Sequence, residues 1–406
     1  PNQTENWQFL EKKIHSTCRL FSFKEIRTPI IEESKLFSRS VGEDSDIVSK
    51  EMYTWKDLDN KNITLRPEYT APVVRSFIQH NLGANSSLQR LYYIGPLFRR
   101  ERPQKGRQRQ FNQFGVEAFG SPHPEQDAEV ISVGWKILED LGLKNSLILK
   151  INSIGSNNCR KSYRSALKDF IRPNLDLFSI TSQKRFKNNP LRILDSKSES
   201  EKILLEDAPK ISDFYSDADE EHFSELRKYL KKMNIPFSID TRLVRGLDYY
   251  TRTTFEITSD ILGAQDAVLG GGRYDELVET LGGKPTPAVG FAAGIERIII
   301  LMKNKKLLKN KNSPDVYFSC LENNGLSIAL SLSKKLRDLG IIVQMNTLRK
   351  SMKAQLREAN KLEAKYAVIL GDSEIKNKEV IIKNLKDGKQ LKVSQSEMMD
   401  NFSDLT

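Results

Sequence analysis

Cysteine and histidine are scarce in this sequence. The three cysteines, Cys18, Cys159 and Cys320, lie more than a hundred residues apart, and no C-x-x-C pair is present. This spacing predicts neither a disulfide framework nor a zinc ribbon. The four histidines are equally scattered and show no metal-ligand spacing, so no protein motif predicts a bound metal. A chain with these features suits the reducing cytoplasm.

Long apolar runs are also missing. No stretch of about 18 apolar residues occurs, which argues against a membrane-spanning helix and against a membrane partner. The first residues lack the charged region and the apolar region of a secretion signal. The sequence begins at Pro1 rather than at Met, so we expect further residues upstream.

Three common nucleotide and nucleophile motifs are absent as well. The sequence contains no G-x-x-x-x-G-K-[ST], no G-x-G-x-x-G and no G-x-S-x-G. These absences exclude a P-loop and a nucleophile elbow, and they give no support to a dinucleotide fold. A nucleotide bound here would have to be held by arginines and by a glycine-rich turn, which the sequence predicts at 270–272.

Length and charge define what is present. The chain has 406 residues, of which 38% are hydrophobic, and these values predict two or three folded domains. The formal net charge is +11, and residues 301–406 hold 20 Lys and Arg against 12 Asp and Glu. Such a basic module indicates a polyanionic partner, most commonly nucleic acid, although a merely solvated basic surface would have the same composition.

The secondary-structure pattern changes twice along the chain. Helices and strands alternate up to residue 155, whereas strand signals vanish in 156–236, where helical apolar spacing is found. Strands then return, and a helix is predicted just after Pro287. A Lys- and Asn-rich linker at 304–313 precedes a β-α-β-α-β pattern, which predicts a small α/β domain with a partly parallel sheet.

A predicted hairpin, formed by residues 88–99 and 109–120, holds the first site candidates. Because alternate strand residues share a face, Gln113 and Glu117 point the same way, about 13 Å apart, with Gly115 between them. The glycine leaves a gap, and a slot with polar groups at both ends suits a small ligand. The alternative is a simply solvated face, which does not need a residue that weakens strands.

The loop that joins the two strands is strongly cationic. Residues 99–109 hold six Lys and Arg against one carboxylate, Glu101. Arg99 lies where the first strand enters the loop, and its guanidinium suits bidentate contact with a phosphate. Taken together, these cations predict an anion site beside the polar strand face.

Two further arginines lie in apolar surroundings. Arg245 and Arg297 have mostly apolar sequence neighbours, and a charge in such a place must be paired or must serve a ligand. A structural ion pair, for instance with Asp248 or Glu296, is the alternative for each of them.

These segments resemble the motifs of a known family. FRRE at 98–101 with FNQFGVE at 111–117 is similar to the second motif of class II aminoacyl-tRNA synthetases, and GFAAGIER at 290–297 is similar to the third. LVRGLDYY at 243–250 resembles the signature of histidyl-tRNA synthetases. RPEYT at 66–70 resembles their amino-acid-binding turn, with Tyr where the family usually has Gly. The resemblance runs the length of the chain.

The resemblance implies an α+β fold and a domain arrangement. The sheet would be six-stranded, antiparallel and flanked by helices, with a helical insertion and a C-terminal α/β anticodon-binding domain. The weaker first motif, around Pro29, implies a homodimer. The implied divisions are a catalytic core at 1–155 and 237–303, the insertion at 156–236, a linker at 304–313 and the anticodon-binding domain at 314–406.

The resemblance also implies a reaction in two steps. L-histidine would attack the α-phosphate of ATP, giving histidyl-adenylate and pyrophosphate, and tRNA(His) would then accept the histidyl group with release of AMP. Mg²⁺ would enter with ATP as a substrate complex, and no prosthetic group is implied. The insertion would contact the acceptor arm, while the C-terminal domain would read the anticodon.

Each site residue takes its role from the same resemblance. Catalysis would rest on Arg99, Arg245 and Arg297. These arginines would bind ATP together with Glu101 and Arg107. The acceptor end of the tRNA would meet Arg102, Gln104 and Lys105. Histidine would be bound by Glu68, Tyr69, Thr70, Gln113, Glu117, Tyr249 and Tyr250, with Glu117 and Tyr250 at the two imidazole nitrogens.

One alternative function belongs to the same family. A non-catalytic paralogue of the synthetase acts as a regulatory subunit of histidine biosynthesis. Such paralogues typically lack the anticodon domain and part of the histidine signature, and both are found in this sequence.

Overall fold

The computed structural model describes residues 3–42, 45, 47–102, 106–194, 196, 198–247, 249–263, 266–308, 313–321 and 323–405. The chain forms two compact units. One comprises Asn6–Leu308, and the other comprises Lys309–Thr406 together with Pro1–Glu5. No helix among the described residues is long and apolar enough to cross a membrane.

The elements up to residue 308 follow in chain order. The strands are β1 Lys24–Glu25, β2 Ile31–Glu33, β3 Tyr53–Lys56, β4 Asn62–Leu65, β5 Gln89–Phe98, β6 Gln110–Phe119, β7 Ile148–Ser153, β8 Ser238–Ile239, β9 Thr251–Thr258, β10 Ala267–Arg273 and β11 Ala288–Gly294. The helices are α1 Thr4–Leu20, α2 Ser34–Val41, α3 Thr70–Gln79, α4 Leu82–Asn85, α5 Pro124–Asp140, α6 Asn157–Ile171, α7 Ile180–Asn188, α8 Glu199–Leu204, α9 Asp217–Lys232, α10 Leu277–Thr280 and α11 Ile295–Asn304.

The main sheet corrects the predicted fold. Within the described residues it has eight strands in the order β1-β5-β6-β11-β10-β9-β7-β8, and it is mixed, not six-stranded and antiparallel. The six inner strands do pair antiparallel throughout. The two outer strands pair parallel to their neighbours and have two residues each. The six-stranded, antiparallel sheet that the resemblance implied corresponds to the inner block and leaves out these two short parallel strands.

The β5–β6 hairpin follows the predicted alternation. Arg99 N donates to Arg109 O at 2.9 Å, which closes the hairpin at the ends that the sequence indicated. Phe114 and Val116 are fully buried in a core with Ile131 and Leu138 of α5. Gln113 and Glu117 therefore point to the opposite face of the sheet, away from α5.

Two predictions about glycine-rich segments are wrong. Residues 270–272 belong to strand β10 rather than to a turn, and 288–294 form strand β11 rather than a helix. Both strands lie in the middle of the sheet, where small residues let side chains of neighbouring elements approach the backbone. Helix α11 begins only at Ile295, so Arg297 lies in its first turn.

A buried polar network anchors the end of β10. Arg273 is fully buried, and its Nη1 donates to Ser121 O at 2.8 Å, while its Nη2 contacts Asp127 Oδ1. Asp127 Oδ2 also lies 2.8 Å from His222 Nε2 and accepts from Thr253 Oγ1 at 2.6 Å. Satisfied networks of this kind fix the conformation of the chain around them. The network therefore fixes the position of the following residue, Tyr274.

The smaller unit contains a five-stranded sheet in its described part. The elements are β12 Val316–Cys320, α12 Asn323–Asp338, β13 Val343–Met345, α13 Met352–Lys361, β14 Tyr366–Leu370, α14 Asp372–Asn377, β15 Glu379–Asn384 and β16 Gln390–Ser394. The sheet order is β13-β12-β14-β15-β16. Strand β12 pairs parallel to β13 and β14, whereas β15 pairs antiparallel to β14 and β16.

Candidate active site

Two adjoining cavities open on the face of the main sheet opposite α5. The inner one has a volume of about 80 Å³ and is lined by polar and aromatic side chains, whereas the outer one, of about 160 Å³, has four arginines in its lining. Five residues line both cavities: Arg99, Gln113, Arg245, Gly270 and Ala292. A ligand in one cavity therefore lies next to a ligand in the other.

Glu117 lies at the bottom of the inner cavity. It is 1% exposed, and its Oε1 accepts hydrogen bonds from Thr70 Oγ1 at 2.8 Å and from Tyr93 OH at 3.2 Å. Its Oε2 accepts from the Tyr274 hydroxyl. Burial raises the pKa of Glu117 to about 8, although the hydrogen bonds from Tyr274 and Thr70 oppose this shift. A carboxyl group with this pKa gains or loses its proton near neutral pH, which suits exchange of hydrogen bonds with a titratable ligand.

Glu68 is the second buried carboxylate of the inner cavity. It precedes α3, and its two oxygens accept from Thr70 N at 2.6 Å and Ala71 N at 3.0 Å. These are among the first N–H groups of the helix, which have no partner within the helix itself. Burial raises the pKa of Glu68 to about 7. The segment that leads into α3 is also bound by Arg99, whose Nε donates to Pro67 O at 2.8 Å.

Glycines shape the inner cavity by letting side chains approach the backbone. A Cβ on Gly290 would overlap Glu117 Oε2, and a Cβ on Gly270 would overlap the Arg245 guanidinium. At Gly115 a Cβ would meet the Tyr93 hydroxyl and the Phe291 carbonyl oxygen. The space beside Gly115 is thus filled by Tyr93, and the predicted ligand gap at this glycine is wrong.

Five tyrosines line the inner cavity with the two carboxylates: Tyr69, Tyr93, Tyr249, Tyr250 and Tyr274. Tyr249 and Tyr250 are buried and line the inner cavity, with ring centroids 4.7 Å apart. Tyr69 also lines it, but its ring stacks on Tyr93 at 4.1 Å and its hydroxyl accepts from Arg66 Nη2. The hydroxyl of Tyr69 is therefore turned to Arg66, and only its ring faces the cavity.

Arg245 stands between the two cavities. Its Nη1 pairs with Glu256 of β9, and among the described residues no ion pair between Arg245 and Glu296 is found; the other partner considered from the sequence, Asp248, lies outside the described residues. Burial lowers the pKa of Arg245, but the Glu256 carboxylate together with Tyr250 and Tyr249 outweighs this effect, and the pKa is raised overall. Among the described residues, its buried Nε has no hydrogen-bond partner. Arg245 thus combines a structural ion pair with a donor that remains available to a ligand.

The outer cavity carries three more arginines. Arg297 Nη1 donates to Ala267 O at 2.6 Å, which holds the side chain along the cavity wall. Arg107 Nη1 lies 2.9 Å from Glu101 Oε2, and Arg99 Nη1 lies 3.8 Å from Glu101 Oε1. Burial, followed by repulsion from Arg107, lowers the pKa of Arg297. Cations that converge closely enough for one to lower the pKa of another are typical of an anion site.

Glu296 lines this cavity and binds the backbone N–H of Asn112. Its Oε1 and Oε2 accept from Asn112 N at 2.8 and 3.1 Å, so it does not pair with Arg297 as the sequence alternative proposed. Of the residues predicted to contact the tRNA acceptor end, Arg102 is exposed, whereas Gln104 and Lys105 lie outside the described residues.

Two tyrosines that line the inner cavity, Tyr93 and Tyr274, were not among the predicted site residues. Tyr93 pairs with Gly115 across the hairpin, so it shares the face of Gln113 and Glu117. The register of the predicted hairpin already contained this information, because residues directly opposite in a sheet point to the same side. Tyr274 follows the glycines of β10, and no local signal marks its hydroxyl, since its contact with Glu117 crosses the sheet.

Comparison with known proteins agrees with these features. A family model for histidyl-tRNA synthetase matches residues 1–298, and a model for an anticodon-binding domain matches 302–405. The chain belongs to the histidyl-tRNA synthetase family. The resemblance inferred from the motifs is thereby confirmed.

Relatives in this family span nearly the whole chain. The histidine–tRNA ligase of Protochlamydia amoebophila is 46% identical over 97% of this chain and 92% of its own length. That of Prochlorococcus marinus (strain MIT 9211) is 48% identical over 95% of this chain and 90% of its own length. The crystal structure of apo S. aureus histidyl-tRNA synthetase has a TM-score of 0.83 at 34% identity and covers 99% of this chain and 96% of its own.

A regulatory relative shares only the fold. An ATP phosphoribosyltransferase regulatory subunit/histidyl-tRNA synthetase from Bacillus halodurans has a TM-score of 0.66 at 21% identity, with 91% of this chain and 95% of its own covered. The alternative of a regulatory paralogue is accordingly not favoured by the histidyl-tRNA synthetase comparisons.

Proposed function

We propose that this protein ligates L-histidine to tRNA(His) with ATP, through a histidyl-adenylate intermediate. The observation that carries the proposal is the pair of adjoining cavities, one polar and aromatic, the other cationic, with Arg99 and Arg245 lining both. An amino acid in the inner cavity and ATP in the outer one would meet at these two arginines. Relatives 44–48% identical over nearly the whole chain, all histidine–tRNA ligases, support the same function.

The inner cavity would bind histidine by both of its ends. Glu117 and Tyr250 would accept and donate hydrogen bonds at the imidazole nitrogens, with Tyr249 beside the ring. The α-ammonium group would lie near Glu68, Thr70 and Gln113. A site that pairs both ring nitrogens rejects apolar amino acids, because its buried polar groups would otherwise be left without partners. Tyr69 would act indirectly, by holding Tyr93 against Glu117.

The outer cavity would bind the phosphates. Attack of the histidine carboxylate on the α-phosphorus forms the mixed anhydride and breaks the bond to pyrophosphate. This step brings two anions together, so neutralisation by fixed cations is its main requirement. Arg99 and Arg245 would contact the α-phosphate. Arg297, with Arg107 held by Glu101, would contact the distal phosphates.

Magnesium would enter with ATP as part of the substrate. The two acidic side chains of the outer cavity are engaged, Glu101 with Arg107 and Glu296 with Asn112. The phosphates and water would then supply most ligands of Mg²⁺, which binds few protein groups in such sites. The ion would reduce the charge on the phosphates.

Binding of tRNA(His) would involve the other parts of the chain. We propose that residues 1–155 and 237–303 form the catalytic core, that the insertion at 156–236 contacts the acceptor arm, and that the domain at 314–406 after the linker at 304–313 reads the anticodon. The surplus of eight cations in residues 301–406 supports contact with RNA. The exposed loop residue Arg102 would meet the acceptor end, as would Gln104 and Lys105.

We propose a cytoplasmic homodimer. Ile30 and Ile31, next to Pro29, are 41% and 50% exposed, and adjoining apolar side chains of this kind are typical of a surface that a partner covers. Sedimentation equilibrium of the wild type should give twice the chain mass. Ile31→Lys should shift the distribution towards the monomer, and a wild type that remains monomeric at micromolar concentration would contradict the proposal.

Histidine-dependent exchange between pyrophosphate and ATP tests the function, and Arg245→Ala tests the site. The exchange rate should fall by a factor of about 10² or more, while ATP binding changes less, because Arg245 would act mainly on the transition state. Arg242→Ala, an exposed arginine three residues earlier, is the control and should remain near the wild-type rate. A wild type without histidine-dependent exchange would favour a non-catalytic protein.

A further inference from the structure

The segment 243–250 carries three residues of the proposed site but has little structure of its own. It contains Arg245, Tyr249 and Tyr250, and it forms neither helix nor strand in its described part. Residues 244–247 and 249–250 make no backbone-to-backbone hydrogen bond with any described residue. A loop without such bonds depends on side chains from elsewhere to define its conformation.

Two arginines of the helical insertion donate side-chain hydrogen bonds to the backbone of this loop. Arg160 of α6 is 6% exposed, and its Nη1 donates to Tyr250 O at 2.7 Å. Arg192, which follows α7, donates from Nη2 to Gly246 O at 2.8 Å. Each bond has a charged donor, which makes it stronger than a bond between neutral groups. The two acceptors lie on either side of Leu247.

The insertion also contacts the segment that follows Tyr274. Asn157 Nδ2 donates to Glu276 Oε1 at 2.6 Å, and Arg160 Nη2 lies 3.8 Å from Glu276 Oε2. Arg160 thus contacts both Tyr250, which is next to Tyr249, and Glu276, which lies two positions after Tyr274. No described residue of 156–236 lines the inner or the outer cavity. The insertion therefore acts on the site indirectly, and these contacts are its hydrogen bonds to the loop 243–250 and to Glu276.

We propose that Arg160 and Arg192 are positioning residues, through which the insertion sets the conformation of the loop 243–250 and thereby the affinity for histidine. The proposal rests on the proposed function, since it assumes that this loop binds histidine. It assigns the insertion a role in the first step of the reaction, before any RNA is bound. Arg192 is half-buried, so its truncation removes less buried side chain than that of Arg160, which is 6% exposed.

The test compares Arg192→Ala and Arg160→Ala with Arg172→Ala in tRNA-free pyrophosphate exchange. Arg172, an exposed arginine of the same insertion, serves as the control. Among the described residues, its ion-pair partner is Asp169. We expect Arg192→Ala to raise KM for histidine about tenfold, with KM for ATP within about twofold of the wild type. Arg172→Ala should change neither constant, and Arg192→Lys should recover part of the histidine affinity.

A double-mutant cycle separates positioning from general support of the fold. If Arg160 acts by placing Tyr250, the effect of Arg160→Ala on histidine affinity should shrink in a Tyr250→Phe background. Equal losses for histidine and ATP, full additivity, or no change in Arg192→Ala would each overturn the proposal. An inactive wild type would instead contradict the proposed function, so the two failures are distinguishable. Thermal unfolding identifies any variant whose losses come from misfolding.

Discussion

Glu117 combines a buried carboxylate with three hydroxyl donors, and it is the residue on which histidine specificity should depend. Glu117→Gln preserves the size of the side chain and removes its charge, so the cavity should still form. Above pH 8, where Glu117 is mostly ionised, we expect KM for histidine to rise at least about tenfold, because a hydrogen bond to a charged group contributes roughly 1.5–3 kcal/mol. KM for ATP should change little, since Glu117 does not line the outer cavity. Steady-state pyrophosphate exchange measures both constants, and equal losses for the two substrates would show that Glu117 supports the sheet instead.

Histidine binding should also depend on pH. Burial raises the pKa of Glu117 to about 8 and that of Glu68 to about 7 in the free protein. Because both pKa values are raised, the ionised forms are lost as the pH falls through these values. We expect kcat/KM for histidine to be constant well above pH 8, to decline by up to about tenfold per unit between pH 8 and pH 7, and by up to about a hundredfold per unit below pH 7, where both carboxylates become protonated.

Glu117→Gln is the control for this pH dependence, because it removes one of the two groups and leaves the titration of free histidine unchanged. The decline between pH 8 and pH 7 should then disappear, whereas a decline below pH 7 should remain from Glu68. A profile identical to that of the wild type would show that Glu117 does not control binding.

At the scale of elements, strands β10 and β11 hold the cavity open through their glycines. Gly290→Ala would place a Cβ against Glu117 Oε2 and Val116 O, in the middle of the sheet where neither can withdraw. We expect KM for histidine to rise by more than about tenfold and the melting temperature to fall by several degrees, since overpacking costs about 1–3 kcal/mol.

Gly294→Ala in the same strand is the matched control. Its Cβ would meet Arg297 side-chain atoms at 3.4 Å or more, which is ordinary contact. This variant should melt near the wild-type temperature and bind histidine normally. Similar losses in both variants would show that β11 tolerates no side chain at these positions, independently of Glu117.

These strands also show where sequence reasoning succeeds and where it fails. The β5–β6 hairpin could be predicted because Phe114 and Val116 alternate with Gln113 and Glu117. The glycine-rich β10 and the small residues of β11 contain no such alternation, so a turn and a helix were predicted in their place. They are strands because they pair with each other and with β6 and β9, and their glycines make room for Glu117 and Arg245; no local pattern records either feature.

The site could be predicted in part for the same reason. Motif resemblance indicated Arg99, Arg245 and Arg297, and the structure brings all three to the outer cavity. The ion pair between Arg245 and Glu256 was missed, because its two members belong to a loop and to β9, and their proximity depends on the folded sheet.

For the whole molecule, the two compact units predict separable activities. A fragment of residues 1–308 contains the larger unit and every residue assigned to histidine and ATP. It should retain histidine-dependent pyrophosphate exchange within a few-fold of the intact protein and should charge tRNA(His) poorly. Far-ultraviolet circular dichroism and thermal unfolding establish that the fragment is folded. Charging equal to that of the full chain would show that residues 309–406 have another role.

The two-residue strands β1 and β8 have a consequence for solubility. A long exposed sheet edge is a template for strands of other molecules, and native proteins protect such edges with short strands and charged residues. β1 places Lys24 and Glu25 beside Leu91 and Tyr92, at one edge of the antiparallel block. At the other edge, β8 covers Lys150 and Ile151 of β7. Strand β1 follows helix α1, and strand β8 follows helix α9, so neither strand is part of a hairpin. Each edge therefore becomes protected against aggregation only when the preceding helix has packed.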